Sequence, residues 1–145
     1  MPGYESLQAA EVHAWLVGLL PERPSLVLDI GAGSGRDAAW LADQGHEVVA
    51  VEPAAAMREA GQCLHPDSRI RWIDDCLPSL PNLHQLGLAF DFILLSAVWM
   101  HVPPAERSRA FRKVITLLKL GGPLAITLRH GPAEAQRQIY ESDCG

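Results

Sequence analysis

Short apolar runs alternate with amphipathic segments along most of the chain. Five runs have the length and the β-branched content of buried parallel strands: 26–30, 47–51, 70–73, 90–96 and 124–128. The amphipathic segments predict four helices, over 5–20, 36–44, 54–64 and 104–120, and a short fifth helix is predicted within 79–89. Strands and helices that alternate in this way predict an α/β fold, with a doubly wound, mainly parallel sheet of about five strands.

Length and composition indicate one folded domain. A chain of 145 residues can bury a core of its own, and a hydrophobic content of 48% argues against disorder. We expect residues 1–145 to form a single domain. Its parts are an N-terminal helical segment (1–24) that covers the sheet, a core (25–128) and a polar C-terminal tail (129–145).

The charge pattern limits the classes of partner. Lys and Arg total 12, Asp and Glu total 17, and no basic block is present. This balance argues against duplex nucleic acid, because neutralising phosphates supplies most of that affinity. The longest apolar run, 92–100, is too short to span a bilayer, and residues 1–8 lack the features of a signal peptide.

The cysteines and histidines do not suggest a metal site. Cys63, Cys76 and Cys144 are an odd number without C-x-x-C spacing. We therefore expect neither a disulfide framework nor a zinc site, and a reducing cytoplasm is the simplest location. The histidines also lack ligand-like spacing, so no catalytic metal is predicted.

Three glycines at alternate positions follow the first strand, in the pattern Asp29-x-Gly31-x-Gly33-x-Gly35. Glycine lets a ligand approach the backbone, and the free N–H groups of the next helix face that ligand. A dinucleotide-binding G-x-G-x-x-G turn would need glycine at position 36, where the chain has Arg36. The pattern instead resembles motif I of the class I S-adenosylmethionine-dependent methyltransferases.

The resemblance implies a Rossmann-like fold with strand order 3-2-1-4-5 and S-adenosylmethionine as cofactor, with S-adenosylhomocysteine as product. It also implies that the N-terminal helix can serve as a lid over the substrate site. Complete members have seven strands, and the antiparallel hairpin that ends their sheet has no counterpart here. The chain is therefore either the cofactor-binding part of a longer protein or a minimal version of the fold. Proteins normally avoid an exposed sheet edge, and a homodimer formed across that edge is one way to cover it.

Acidic residues follow the second and third predicted strands. Glu52 lies 21 residues after Gly31, the spacing at which an acid accepts hydrogen bonds from ribose hydroxyls, and Pro53 suits the start of the next helix. The resemblance implies that Asp75 meets the adenine amino group and that the N–H of Cys76 meets a ring nitrogen. Asp74 is the rival for the aspartate role, and a loop acid that caps the next helix is the alternative.

The fourth strand and its loop carry a second resemblance. Phe90 to Leu94, then Ser96, then His101-Val102-Pro103 are similar to motif IV of small-molecule methyltransferases. This implies that Ser96 lies against the methionine part of the cofactor and that residues 98–101 line the methyl-transfer side. His101 is the best candidate for a general base, ahead of His130, although it can equally satisfy a loop carbonyl.

The resemblance thus implies in-line methyl transfer from S-adenosylmethionine to a small-molecule acceptor. Such a displacement needs mostly alignment, and no covalent nucleophile is required. The implied cofactor contacts are Asp29, Gly31, Ala32, Gly33, Gly35, Glu52, Pro53, Asp75, Cys76 and Ser96. Asp29 would organise the glycine loop or meet the cofactor amino group. Two other classes of function remain: a cofactor-binding module without catalysis, and a nicotinamide-dependent oxidoreductase, against which Arg36 argues.

Overall fold

The computed structural model of the chain describes residues 11–96 and 98–127. Its strands are β1 (Leu26–Ile30), β2 (Glu47–Val51), β3 (Ile70–Ile73), β4 (Phe92–Ser96) and β5 (Leu124–Thr127). Its helices are α1 (residues 11–17), α2 (Arg36–Asp43), α3 (Ala55–Leu64), α4 (Pro81–Gln85) and α5 (Arg107–Ile115). Two short 3₁₀ turns, Trp99–His101 and Pro104–Glu106, connect β4 to α5.

The five described strands form one sheet in the order β3-β2-β1-β4-β5, and every neighbouring pair is parallel. The predicted fold class and strand order are confirmed. The chain runs outward from β1 to β3, then returns to the other side of β1 for β4 and β5. This reversal creates a switch point beside β1, the place where open α/β sheets bind ligands.

The side chains of successive residues in the central strands pack into two hydrophobic cores, one on each face of the sheet, because side chains alternate between the two faces of a strand. On one face, Leu28, Val49 and Ile93 pack with Val114 of α5. On the other face, Val27 and Val48 pack with Leu41 of α2. Both faces are therefore covered, which explains why these strands are apolar at almost every position.

The register aligns the carboxyl ends of four strands. Ile30 pairs with Val51 of β2 and with Leu95 of β4, and Val51 pairs with Ile73 of β3. The residues that follow this row leave the sheet at the same edge. The loops after β1, β2, β3 and β4 consequently start side by side.

The predicted limits of β4 and of the last helix are wrong for a shared reason. Phe90 forms an isolated parallel bridge with Leu118, in which the Phe90 N–H donates to the Leu117 carbonyl at 2.7 Å. The Lys119 N–H donates to the Phe90 carbonyl at 2.8 Å. This bridge draws residues 117–119 out of the helix, so α5 ends at Ile115, and β4 begins only at Phe92.

The N-terminal helical segment covers one face of the sheet through Leu16, which is fully buried. Trp15, the neighbour of Leu16 in α1, is 51% exposed. Residues 5–10 of the predicted helix, and the predicted tail with His130, lie outside the described residues.

The structure also bears on the cysteines and on membrane insertion. Cys63 is a free, exposed thiol. Cys76 is disulfide-bonded, a bond that the odd number of cysteines and the absence of C-x-x-C spacing did not predict. None of the helices in the described parts of the chain is long and apolar enough to cross a membrane.

Candidate functional site

A cavity of about 390 Å³ lies at the edge of the sheet where β1 to β4 end. Each of these four strands, or the loop after it, contributes to its wall. The residues that line it are Ile30, Gly31, Val51, Glu52, Pro53, Met57, Asp75, Cys76, Leu77, Pro78, Ser96, Val98, His101, Val102, Pro103 and Glu106. The site therefore combines an apolar interior with a few polar groups, as small-molecule sites commonly do.

The cavity brings together most of the residues that the sequence singles out. Those that line it are Gly31, Glu52, Pro53, Asp75, Cys76, Ser96 and His101. Four predicted contact residues are not in its wall: Asp29, Ala32, Gly33 and Gly35. Asp29 and Gly33 nevertheless contact residues of the wall, through hydrogen bonds with Ser96 and Glu52.

Two of the three motif glycines are required by contacts within the protein. A Cβ on Gly31 would lie 2.8 Å from the Cβ of Val98, and one on Gly35 would lie 2.9 Å from the Trp72 ring. Both residues also have positive φ, 80° and 93°. Of the three, only Gly33 faces open space, since a Cβ there would have nothing within 4 Å. Close packing of strand, loop and helix, in addition to ligand access, thus explains the glycine pattern.

The Glu52 carboxylate is held by backbone donors on both oxygens. The Gly33 N–H donates to Oε1 at 2.8 Å, and the Ala54 N–H donates to Oε2 at 3.0 Å. Glu52 is only 9% exposed, yet it lines the cavity. Each carboxylate oxygen can accept a further hydrogen bond. The acid is therefore fixed in orientation and can still bind two donors from a ligand.

Arg58 of α3 braces the loop after β2. Its Nη1 donates to the carbonyl oxygens of Glu52 at 2.8 Å and Pro53 at 3.0 Å. The same atom lies 3.4 Å from Oδ1 of Asp74, whose side chain is 67% exposed. Asp74 thus faces solvent beside Arg58 and is not part of the cavity wall.

Asp75 is buried and caps α4. The Leu83 N–H donates to its Oδ2 at 2.8 Å, and the Cys76 N–H donates to Oδ1 at 3.0 Å. The capping alternative therefore matches the observed contact. Asp75 also lines the cavity, so one side chain ties the loop to α4 and presents a carboxylate to the site.

A buried polar network lies behind Ser96. The Ser96 hydroxyl donates to Oδ1 of Asp29 at 2.7 Å and lies 3.3 Å from Oδ2 of Asp37. Asp37 Oδ1 lies 2.8 Å from Nε2 of His13, which stacks on Trp40 at a ring separation of 4.2 Å. The network links α1 to the wall of the cavity. The sequence offers one signal for it, an acid in the first turn of the helix after the glycines.

The two buried aspartates differ in charge behaviour. Burial and the negative charge of Asp37 raise the pKa of Asp29 to about 8, and the Ser96 hydrogen bond only partly offsets this. Burial also acts to raise the pKa of Asp37, but the hydrogen bond from His13 and the nearby Arg36 outweigh it and lower that pKa. Near neutral pH, Asp29 is therefore largely protonated while Asp37 is ionised.

The loop after β4 forms the remaining wall. His101 ends the first 3₁₀ turn and Glu106 ends the second, and both are half-buried and line the cavity. Glu106 had no signal in the sequence beyond its position shortly after the His101-Val102-Pro103 segment. Across the described ranges, 11–96 and 98–127, no group of three or more His, Cys, Asp or Glu residues is placed to hold a metal ion.

The sequence matches a known family and several relatives. The family model described as "Methyltransferase domain" matches residues 27–122. An uncharacterized methyltransferase of Staphylococcus carnosus is 34% identical over 101 residues, which are 69% of this chain and 45% of the relative. One from Mycobacterium bovis is 31% identical over 111 residues, covering 74% of this chain and 41% of the relative. The chain thus spans less than half the length of these curated relatives.

Solved structures share the fold. The 1,6-didemethyltoxoflavin-N1-methyltransferase of Burkholderia thailandensis, with 1,6-didemethyltoxoflavin and S-adenosylhomocysteine bound, is 29% identical with a TM-score of 0.64. The alignment covers 88% of this chain and 56% of that one. An S-adenosylmethionine-dependent methyltransferase from Mesorhizobium loti has a TM-score of 0.67 at 24% identity, with 81% and 53% of the two chains covered.

Proposed function

The chain belongs to the methyltransferase domain family, and from this premise we propose that it binds S-adenosylmethionine and transfers the methyl group to a small molecule. One observation carries the proposal. Gly31, Glu52, Asp75 and Ser96 come from four different strand ends and line one cavity. A related structure, 29% identical, contains bound S-adenosylhomocysteine, which supports this choice of cofactor.

We propose that the Glu52 carboxylate binds the ribose hydroxyls of the cofactor. Both carboxylate oxygens are already oriented by backbone N–H groups, at 2.8 and 3.0 Å, and each keeps a lone pair for one ribose hydroxyl. Hydrogen bonds to a charged acceptor are among the stronger ones in proteins. Pro53 and Met57 line the cavity next to Glu52 and offer apolar surface to the ligand.

We propose that Asp75, in preference to Asp74, accepts a hydrogen bond from the adenine amino group. Asp75 is buried, held by two backbone donors and faces the cavity, whereas Asp74 is largely exposed beside Arg58. The Cys76 N–H already donates to Asp75. For Cys76 to meet a ring nitrogen as well, this N–H must be shared between the carboxylate and the adenine.

We assign the methionine part of the cofactor to the region of Gly31 and Ser96. Asp29 is fully buried and reaches this region only through the Ser96 hydroxyl, at 2.7 Å. We therefore propose that Asp29 positions Ser96 rather than contacting the cofactor itself. Keeping the Asp29 carboxyl neutral and out of the cavity also avoids an anion beside the sulfonium, whose positive charge disappears during transfer.

The chemistry requires alignment more than activation. The methyl group of a sulfonium is already activated, so holding the acceptor in line with the carbon–sulfur bond supplies most of the acceleration. His101 lines the cavity and is proposed as the general base for an acceptor that keeps its proton at neutral pH. S-Adenosylmethionine supplies the transferable methyl group, and the protein supplies binding and orientation.

Methyl transfer by the isolated chain tests the proposal. The chain is incubated with S-adenosylmethionine carrying a labelled methyl group and a panel of small-molecule acceptors, and labelled product is counted. Transfer that falls in Glu52→Gln supports an enzyme. Cofactor binding without any transfer favours the second candidate, a binding module without catalysis.

We propose that a second copy of the chain packs against the β5 edge of the sheet to form a homodimer. Among the described residues, β5 pairs with β4 on one side only. Leu120, close to this edge in sequence, is fully exposed. Sedimentation analysis over a range of concentrations tests the proposal, and a monomer throughout would contradict it.

A further inference from the structure

The charged groups that line the cavity are almost all acidic. They are the carboxyl groups of Glu52, Asp75 and Glu106, and the imidazole of His101 is the one basic side chain beside them. Neither lysine nor arginine occurs among the described residues of the cavity wall. The wall therefore presents an acidic surface to whatever molecule enters it.

The three acids are not equivalent. Glu52 accepts hydrogen bonds from two backbone N–H groups, and Asp75 does the same. Within residues 11–96 and 98–127, the Glu106 carboxylate has neither a hydrogen-bond donor nor an ion-pair partner. Of the carboxylates in the described wall, that of Glu106 is thus the one without a hydrogen-bond or ion-pair partner among the described residues.

Two arginines that adjoin described residues of the wall make hydrogen bonds elsewhere. Arg107 follows Glu106, but its Nε donates to the Val102 carbonyl at 2.9 Å and the residue does not line the cavity. Arg58 donates to the carbonyls of Glu52 and Pro53 and does not line the cavity either. A ligand with a positive charge would therefore meet Glu106 without competition from a cation in the described wall.

Glu106 also lies in the part of the cavity to which we have assigned neither the ribose nor the adenine of the cofactor. Glu52 and Asp75 follow β2 and β3, on one side of the glycine loop, whereas Glu106 and His101 belong to the segment after β4. Glu106 precedes α5 without a side-chain hydrogen bond to that helix. Its carboxylate is therefore not needed to hold the fold locally.

We propose that the methyl acceptor is a cationic small molecule, an amine bound as its ammonium form, and that Glu106 selects it. This inference rests on the proposed function. Bringing a carboxylate or phosphate into the acidic cavity would leave its charge unpaired beside like charges, which costs free energy. An ammonium group finds in Glu106 an acceptor that the fold does not use.

Methyl transfer to an amine accounts for every bond, electron pair and proton in the step. The bound ammonium gives one proton to the His101 imidazole and becomes the neutral amine. The nitrogen lone pair attacks the methyl carbon, the nitrogen–carbon bond forms, and the carbon–sulfur bond breaks with its electron pair going to sulfur. The products are an N-methylated ammonium and the neutral thioether S-adenosylhomocysteine. His101 then returns its proton to water.

Three ligands that share a phenyl ring but differ in charge test whether the cavity prefers cations: benzylamine, benzyl alcohol and benzoate. Each is titrated into the chain, with and without S-adenosylhomocysteine, and dissociation constants are measured by calorimetry or by NMR shift perturbation. We expect benzylamine to bind in the roughly millimolar range and at least about tenfold tighter than benzoate. In Glu106→Gln, this ratio falls at least about threefold, while Glu59→Gln on the exposed face of α3 leaves it unchanged.

Three results would overturn the proposal. These are benzoate binding as tightly as benzylamine, a ratio that Glu106→Gln does not alter, and no benzylamine binding up to about 20 mM, well above the affinity expected for so small a ligand. Circular dichroism confirms that the variants fold. Absence of S-adenosylhomocysteine binding would instead contradict the proposed function, and the titrations made without it keep the two failures distinguishable.

Discussion

The N–H of Gly33 donates a hydrogen bond of 2.8 Å to the carboxylate of Glu52, which joins the glycine loop after β1 to the end of β2. The two residues are 19 positions apart. The bond fixes the loop and the carboxylate at once. The glycine motif and the acid that follows the next strand are therefore one structural unit, and a change in either residue affects the other.

Glu52→Gln should weaken binding of S-adenosylhomocysteine by about 1–3 kcal/mol, the size of a lost charge-assisted hydrogen-bond set. The amide keeps the shape of the side chain but loses the charge and one of the acceptors. Calorimetric titration measures the effect. Glu59→Gln makes the same chemical change at an exposed position of α3 and should leave the affinity unchanged. Equal affinities for both variants would show that the ribose site is misplaced.

Asp75→Asn and Asp74→Asn should differ clearly. Asp75 is buried, lines the cavity and caps α4, so we expect loss of cofactor affinity together with about 1 kcal/mol or more of lost stability. Asp74 is largely exposed, and its replacement should change both quantities little. Titration with S-adenosylhomocysteine and urea denaturation give the two readouts. The reverse order of effects would identify Asp74 as the adenine contact.

Gly35→Ala should destabilise the protein more than Gly45→Ala. Both residues have positive φ, at 93° and 102°, and this conformation costs alanine about 1–2 kcal/mol. A Cβ on Gly35 would also meet the Trp72 ring, which cannot retreat because Gly61 lies against the same ring atoms. A Cβ on Gly45 would have nothing within 4 Å. We expect an additional 1–3 kcal/mol or so for Gly35, measured by urea denaturation, and equal losses would argue against the Trp72 contact.

Asp29 makes the stability of the chain depend on pH. Its pKa is about 8 in the folded protein against 3.8 for the free group, so folding takes up a proton between these values. The folded state then binds more protons than the unfolded state, and the free energy of unfolding falls as the pH rises from about 4 to 8.

Asp29→Asn removes this proton uptake and should flatten the profile. Between about pH 5 and pH 8, we expect the wild type to lose on the order of 3–4 kcal/mol more than the variant, since the proton uptake acts over most of these pH units. Denaturation with urea at the two pH values gives the difference. His46, whose pKa is lowered by burial, contributes equally to both proteins and cancels. Parallel profiles would mean that Asp29 is ionised in the folded state.

The sequence predicts the sheet well because each strand is a contiguous apolar run whose pairing follows from βαβ topology. The strand order and the positions of Gly31, Glu52 and Ser96 at one edge need only local patterns and that topology. The boundaries of α5 and β4 are mispredicted because the bridge between Phe90 and Leu118 joins segments far apart in the sequence.

The same limit applies to the site. The network of His13, Asp37, Ser96 and Asp29 joins residues from separate segments of the chain. Its one signal in the sequence, the acid in the first turn of α2, does not identify the partners of that acid. Glu106 is recognisable only when the wall of the cavity is known. Sequence patterns thus predict side chains at strand ends, whereas contacts made across the fold need the structure.

Calorimetric titration of the purified chain with S-adenosylhomocysteine, with NAD as the comparison ligand, tests the central claim most directly. We expect one binding site with a dissociation constant on the order of micromolar, about −8 kcal/mol, and no detectable binding of NAD. Absence of S-adenosylhomocysteine binding, or tight binding of NAD instead, would contradict the assignment of this cavity to a methyltransferase cofactor.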